Sequence, residues 1–172
     1  MLIPKPALHS VPPYYVHYIN LIPETDLITA FNNSTANTLA LISSIHSTKE
    51  NHAYSPNKWT IKQVFNHIID TERILAYRAF RFSRKDATAL APFNENDYAT
   101  NDNSNTKTLA NLITEYTTVR ASTHSLYSHI TTDMLNFEGN ANNLTVTAQS
   151  IGWFIIGHNT HHCNVLQERY LV

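Results

Sequence analysis

Apolar side chains recur at three- and four-residue intervals along four stretches of this chain, a period that predicts four amphipathic helices. The first opens at Pro23, a residue suited to the first helical position, with Glu24 and Asp26 in a first turn whose dipole favours negative charge. Leu27, Ile28, Phe31, Leu39, Ile42 and Ile45 carry its apolar face to about residue 47. The second starts at Thr60, whose Thr-x-x-Gln spacing to Gln63 reads as a capping box. Val64, His67, Ile68, Ile74, Leu75 and Phe82 extend it to about Arg84. A third, from about Thr106 to Thr131, runs through Leu109, Leu112, Ile113, Tyr116, Val119 and Leu126. The fourth begins near Thr147 and reaches Arg169 through Ile151, Phe154, Ile155, Val165 and Leu166.

Four long helices with apolar faces to bury make an all-α four-helix bundle the expected architecture. Residues 1–22 show no sustained helical period and are rich in proline, so they are expected as an extended N-terminal arm with at most a short turn of helix. Residues 23–172 are expected to form the single bundle domain. The stretches 48–59 and 132–146 read as loops of moderate length, the latter containing Gly139. Residues 85–105 are long for a structureless connection, and segments of that kind are usually functional or partly ordered.

Composition narrows the function classes. At 172 residues and 42% apolar content the chain can bury a full core, and its three glycines argue against turn-rich β folds and phosphate-cradling loops. Lys and Arg total 12 against 13 Asp and Glu, with no basic stripe, so nucleic acid is not expected as a partner. Met1-Leu2-Ile3-Pro4-Lys5-Pro6 lacks the charged and apolar regions of a signal peptide. No apolar run approaches the ~18 residues that a membrane span needs. The single Cys163 fits a reducing compartment, so a cytoplasmic location with no membrane partner is expected. The ten histidines are the unusual count.

Helical geometry sorts the three histidines of Gly157-His158-Asn159-Thr160-His161-His162. With His158 as zero, His162 lies at roughly +40°, within the stripe formed by Ile151, Ile155 and Val165. His161 falls at roughly −60°, on the stripe's edge, and Cys163 near +140°, well away from it. Two imidazoles one turn apart can point at one metal ion. The glutamate of an HExxH protease site is absent, because Asn159, Thr160 and His161 occupy the intervening positions. His67 also faces inward, with Val64, Thr71, Ile74 and Leu75. Asp70 either accepts the proton on the other ring nitrogen of a ligand histidine or forms a surface ion pair with Arg73 or Arg78. A dinuclear ferritin-like site would need paired Glu-x-x-His motifs, which the chain lacks. One mononuclear metal remains as the reading, beside the plainer one of histidines buried in a core.

KWTIKQVFNHIIDTER at 58–73 and GHNTHHCNVLQERY at 157–170 resemble the DinB/YfiT-like superfamily of metal-binding four-helix bundles. YRAFRFSRKD at 77–86, PFNENDY at 92–98 and EYTTVRAST at 115–123 support the resemblance, which extends from about residue 14 over nearly the whole chain. It implies one ligand in the middle of the second helix and two on the fourth at i and i+4, which here are His67, His158 and His162. It further implies one divalent transition metal, zinc or nickel foremost, and a homodimer. Members resemble thiol-dependent transferases or isomerases acting with a low-molecular-weight thiol, or metal-dependent hydrolases. A small-molecule substrate is therefore expected, with the metal generating a nucleophile from water or a thiol.

Two functional classes stay open at this point. One is a metal-dependent hydrolase or S-transferase, and the other is a non-catalytic stress-response or small-molecule-binding bundle whose metal is structural or adventitious. His161 is a pocket residue or a solvent-facing one, and Tyr98, in the long loop, covers the metal mouth or serves as a packing anchor. Arg120 and Glu72 either meet in a buried ion pair or stand as unlinked surface charges, and Cys163 lies on the wrong face to act at the metal.

Overall fold

The computed structural model describes residues 2–172, so Met1 of the expected arm lies outside the described residues. The chain forms α1 (Pro13–Asn20), α2 (Leu27–Ser43), α3 (Ile61–Ser83), α4 (Glu95–Asn101), α5 (Leu109–Ser128), α6 (Thr132–Asn136), the strands β1 (Glu138–Ala141) and β2 (Leu144–Thr147), and α7 (Ala148–Val165). The long helices α2, α3, α5 and α7 make a four-helix bundle. α3 and α2 sit at opposite corners, each packed against both α5 and α7. No helix among the described residues is long and apolar enough to cross a membrane.

Capping decides where the helices start. The expected box on α3 is present: Gln63 N–H donates to Thr60 Oγ1 at 3.2 Å, and Thr60 N–H donates to Gln63 Oε1 at 2.9 Å. α2 begins at Leu27 rather than Pro23, because Asp26 is its cap rather than a first-turn residue. One Asp26 oxygen accepts from Thr29 N–H at 3.1 Å and the other from Ile3 N–H at 3.0 Å, so the same carboxylate also ties down the N-terminal segment. α5 begins at Leu109, since Thr108 and Asn111 cap each other reciprocally.

The N-terminal segment is not simply extended. Pro12 and Pro13 start α1, where proline lacks only a hydrogen bond that no first-turn residue makes, and α1 packs on α7. Its close approach depends on Gly157, where a Cβ would overlap the Tyr18 backbone carbonyl. The stretch 132–146 holds α6 and an antiparallel hairpin rather than a loop. Asn142 and Asn143 form its two-residue turn with φ of 55° and 58°, the left-handed pair that tight hairpins require. Leu90 adds to this hairpin, donating to Asn140 O at 2.9 Å and accepting from Asn142 N–H at 3.0 Å. The long 85–105 connection is thus anchored at one end by the hairpin and contains α4.

Two apolar clusters fill the bundle. One gathers α1, the hairpin and the start of α7 around Phe31, Phe82, Tyr127 and Trp153. The other gathers Ile42, Phe65, Ile69, Leu112, Tyr116 and Leu166. Between them lie buried polar residues contributed by all four long helices: Thr38, Glu72, Arg120 and Asn159 among them. Their Glu72–Arg120 ion pair measures 2.7 Å and joins α3 to α5, which decides for the buried pair over unlinked surface charges.

Candidate metal centre

α3 and α7 carry the site. His67 sits two turns into α3, and His158 and His162 lie one turn apart in the second half of α7. His67 Nε2 is 3.0 Å from His158 Nε2, and His162 Nε2 is 3.1 Å from the same atom. One ligand nitrogen from each residue falls within 4.8 Å of the others. Three nitrogens at ~2.0–2.1 Å from a common zinc ion lie roughly 3–3.4 Å apart for bond angles between square and tetrahedral. The two His158 separations match that range, and the remaining His67–His162 span has to contract toward it for all three to bind one ion.

Hydrogen bonding cannot satisfy this arrangement as well. A neutral imidazole nitrogen has either one proton or one lone pair, so His158 Nε2 makes one good hydrogen bond and not two. Thr71 Oγ1 lies 3.5 Å from His67 Nδ1, so a proton there can point to the threonine while the Nε2 lone pair faces its neighbours. Burial removes the competing protonated forms. It is the main cause that lowers His67 to about 4 and His162 to about 3, with Glu95 opposing the shift at His67 and neighbouring imidazoles adding to it at His162. Burial also holds His158 well below the ordinary histidine range, and His162, His67 and His161 add to that. All three rings are therefore neutral near pH 7, the form in which imidazole ligates a metal.

The triad opens into a cavity of about 340 Å³. α1 supplies Tyr14, Tyr15 and Tyr18, α7 adds Phe154, and Trp59 and Phe93 close further sides. Tyr15 stacks on Phe154 at a centroid distance of 4.0 Å, and the Tyr14 and Tyr18 hydroxyls are 3.1 Å apart. Ala141, Asn142 and Leu144 bring the hairpin to the wall, while Arg78, Glu95, Thr71 and His161 are its other polar groups. A site with three neutral protein ligands, open to a cavity, leaves coordination positions for water or substrate.

A sequence profile of the DinB superfamily matches residues 30–166, which include all three histidines. The chain belongs to the DinB superfamily. No curated protein sequence matches it. Among solved structures it is similar to YfiT from Bacillus subtilis, described as a probable metal-dependent hydrolase with an unusual four-helix bundle topology. That match has a TM-score of 0.74 over 83% of this chain and 82% of the other, at 15% identity. Identity that low speaks to the shared fold.

Within this DinB-superfamily fold the remaining candidate residues are placed as follows. Asp70 takes up the ion-pair reading: it accepts from Asn66 Nδ2 at 2.7 Å and pairs with Arg73 at 3.3 Å. The neighbour of the His67 ring is instead Thr71, one turn on. His161 lines the cavity, its ring 5.4 Å from that of Tyr18 and 6.0 Å from that of His17. Tyr98 packs on Phe93 at 5.2 Å and borders a small adjoining crevice instead of the main cavity. Cys163 turns away to Thr38 and Asn159, both 3.5 Å from its sulfur. Sequence reasoning missed the tyrosines of α1, Arg78 and Glu95. The first had a signal in the i, i+4 spacing of Tyr14 and Tyr18, whereas the others reach the cavity only through tertiary packing.

Proposed function

We propose that this chain is a metal-dependent enzyme that binds one divalent transition metal, zinc or nickel foremost, through His67, His158 and His162 to act on a small substrate. The observation that carries this reading is the convergence of three neutral imidazoles at the wall of an open, largely aromatic cavity. A bound metal supplies Lewis acidity that turns water or a thiol into a nucleophile near neutral pH. The protein's own groups prepare the remainder. Glu95 is the one carboxylate lining the cavity and takes up the proton released from the nucleophile. Tyr14 is protonated near neutral pH, with its hydroxyl 3.1 Å from that of Tyr18, and so offers a donor to a developing negative charge.

Hydrolase and thiol S-transferase chemistry both fit this centre, and Cys163 serves neither, so a thiol in the reaction belongs to the substrate. Cobalt-substituted protein tests the proposal. Its visible absorption should report nitrogen ligation that disappears in His158→Ala, and a thiolate-to-metal band should appear on adding a low-molecular-weight thiol if transfer is the reaction. An unchanged spectrum in His158→Ala would sink the ligand set. A normal spectrum with no thiol response would favour hydrolysis.

A further inference from the structure

Arg78 is only 7% exposed, yet no carboxylate among the described residues lies within 4.0 Å of its guanidinium. The other arginines behave differently. Arg73, Arg81 and Arg120 each pair with an acid, while Arg84 and Arg169 are exposed to water. Buried charges are normally paired, because desolvating a lone ion is costly. The protein gives Arg78 one hydrogen bond, from Nη2 to the Ala91 carbonyl at 2.7 Å, out of the five N–H groups that a guanidinium carries. Arg78 also lines the same cavity as the three histidines.

Neither nearby polar group supplies the missing charge. Burial raises the Tyr15 phenol to about 12, so it is neutral at physiological pH. Glu95 belongs to α4, is exposed, and acts electrostatically on His67 and Tyr14. Arg78 follows His67 by eleven positions on α3, which puts it on nearly the same face, roughly 20° away and about 16 Å further along the helix axis. The cavity therefore has a nucleophile-generating end and a cationic end, with Tyr15, Phe154 and Leu75 among the walls.

We propose that Arg78 is the carboxylate-binding residue of this cavity, and that the substrate is a small organic acid whose carboxylate pairs with Arg78 while its apolar body packs on Tyr15 and Phe154. This rests on the reading of the cavity as the substrate site. A planar guanidinium with free N–H groups matches a carboxylate in bidentate fashion, which a point charge does not. The volume of about 340 Å³ suits a small molecule.

Calorimetric titration with 3-phenylpropanoate and its neutral amide, 3-phenylpropanamide, tests this without knowledge of the reaction. Metal-free protein removes direct metal–carboxylate bonding from the comparison. The acid should bind at least about tenfold more tightly than the amide, as a charge-assisted pair implies. Arg78→Gln should erase that preference while leaving amide affinity unchanged, and His158→Ala should keep it. Equal affinities for acid and amide, no binding of either, or a preference that survives in Arg78→Gln would each overturn the proposal. A second measurement does not depend on that variant folding. In nitrogen-15-labelled wild-type protein, the Arg78 Nε–H resonance should move on adding the acid and stay still with the amide; a resonance unmoved by the acid counts against the pairing. Loss of metal binding in the wild-type protein would defeat the metal centre and leave this result standing, so the two failures are separable.

Discussion

His158 and Asn159 are neighbours on α7, 6% and 2% exposed, and they enter two polar regions that solve the problem of burial differently. Asn159 belongs to the layer between the apolar clusters. Its Oδ1 accepts from Tyr116 Oη at 3.2 Å and Arg120 Nη2 at 3.1 Å, and its Nδ2 donates to Thr38 Oγ1 at 2.7 Å. Arg120 meets Glu72 at 2.7 Å and lies against the faces of Tyr116 and Phe31 at 5.1 and 5.2 Å. Opposite charges face each other there, although Glu72 Oε1 and Arg120 Nε and Nη1 make no hydrogen bond and rely on the ion pair and the aromatic faces. The layer ties α7 to α2 and α5 and so fixes the rotation that turns His158 and His162 toward α3. At the histidines, by contrast, three groups of one kind converge with no complementary partner. Opposite charges offset each other in the layer and make it structural, whereas like groups that converge at a cavity wall need something between them, which points to a ligand.

The sharpest way to break this comparison is to remove one member of the ion pair. Glu72→Ala leaves Arg120 charged and buried, and chemical denaturation should show a loss of about 3–5 kcal/mol. His158→Ala should change metal-free stability far less, since it relieves crowding among like groups. Comparable losses in the two variants would erase the distinction.

Acid should act on the histidines as well. Because their folded-state values lie below the unfolded one, the unfolded chain binds more protons between about pH 6.5 and 4. Metal-free stability is therefore fully present above about pH 6.5 and falls as pH drops toward about 4, where His67 titrates in the folded state. His67 alone contributes a loss on the order of 3 kcal/mol across that window, measurable as the denaturation midpoint against pH. A flat profile would mean that the rings are not buried as neutral groups. Metal at about 100 times its dissociation constant should stabilise the wild type by ~2.7 kcal/mol at neutral pH, visible as a raised Tm that His158→Ala abolishes.

Smaller effects sharpen the picture. Gly157→Ala should cost about 1–3 kcal/mol by pushing α1 off α7, because the new Cβ meets the Tyr18 carbonyl. The same shift should loosen the tyrosine wall and weaken small-molecule binding in the cavity. His161→Ala should keep the metal and alter stability by no more than about 0.5 kcal/mol, since its ring lies outside the converging group.

Local chemistry made much of this legible. Thr60 and Gln63 marked the start of α3 because a capping box is a short-range signal, and the i, i+4 phase of His158 and His162 set both rings on the inner face. Helical phase also placed His67 inward, although only the tertiary fold brings α3 against α7. Other features were hidden for physical reasons. The hairpin turn uses Asn142 and Asn143, both in left-handed geometry without glycine, so the usual sequence flag was absent. α1 follows two prolines, which read as a break in structure although the second is a sound helix start. Asp70 could meet either His67 or Arg73 by spacing alone, and only the side-chain packing gives it to Arg73 and Asn66. Arg78 looked like a surface cation because sequence does not reveal that the fold brings Tyr15 and the Ala91 carbonyl beside it and buries it.

Metal stoichiometry of protein purified without an affinity tag, compared among the wild type, His158→Ala and His161→Ala at matched circular dichroism, is the most direct test of the triad. One divalent transition metal per chain is expected in the wild type and in His161→Ala, with none in His158→Ala. Retention of metal by His158→Ala, or its loss from His161→Ala alone, would contradict a centre built from His67, His158 and His162.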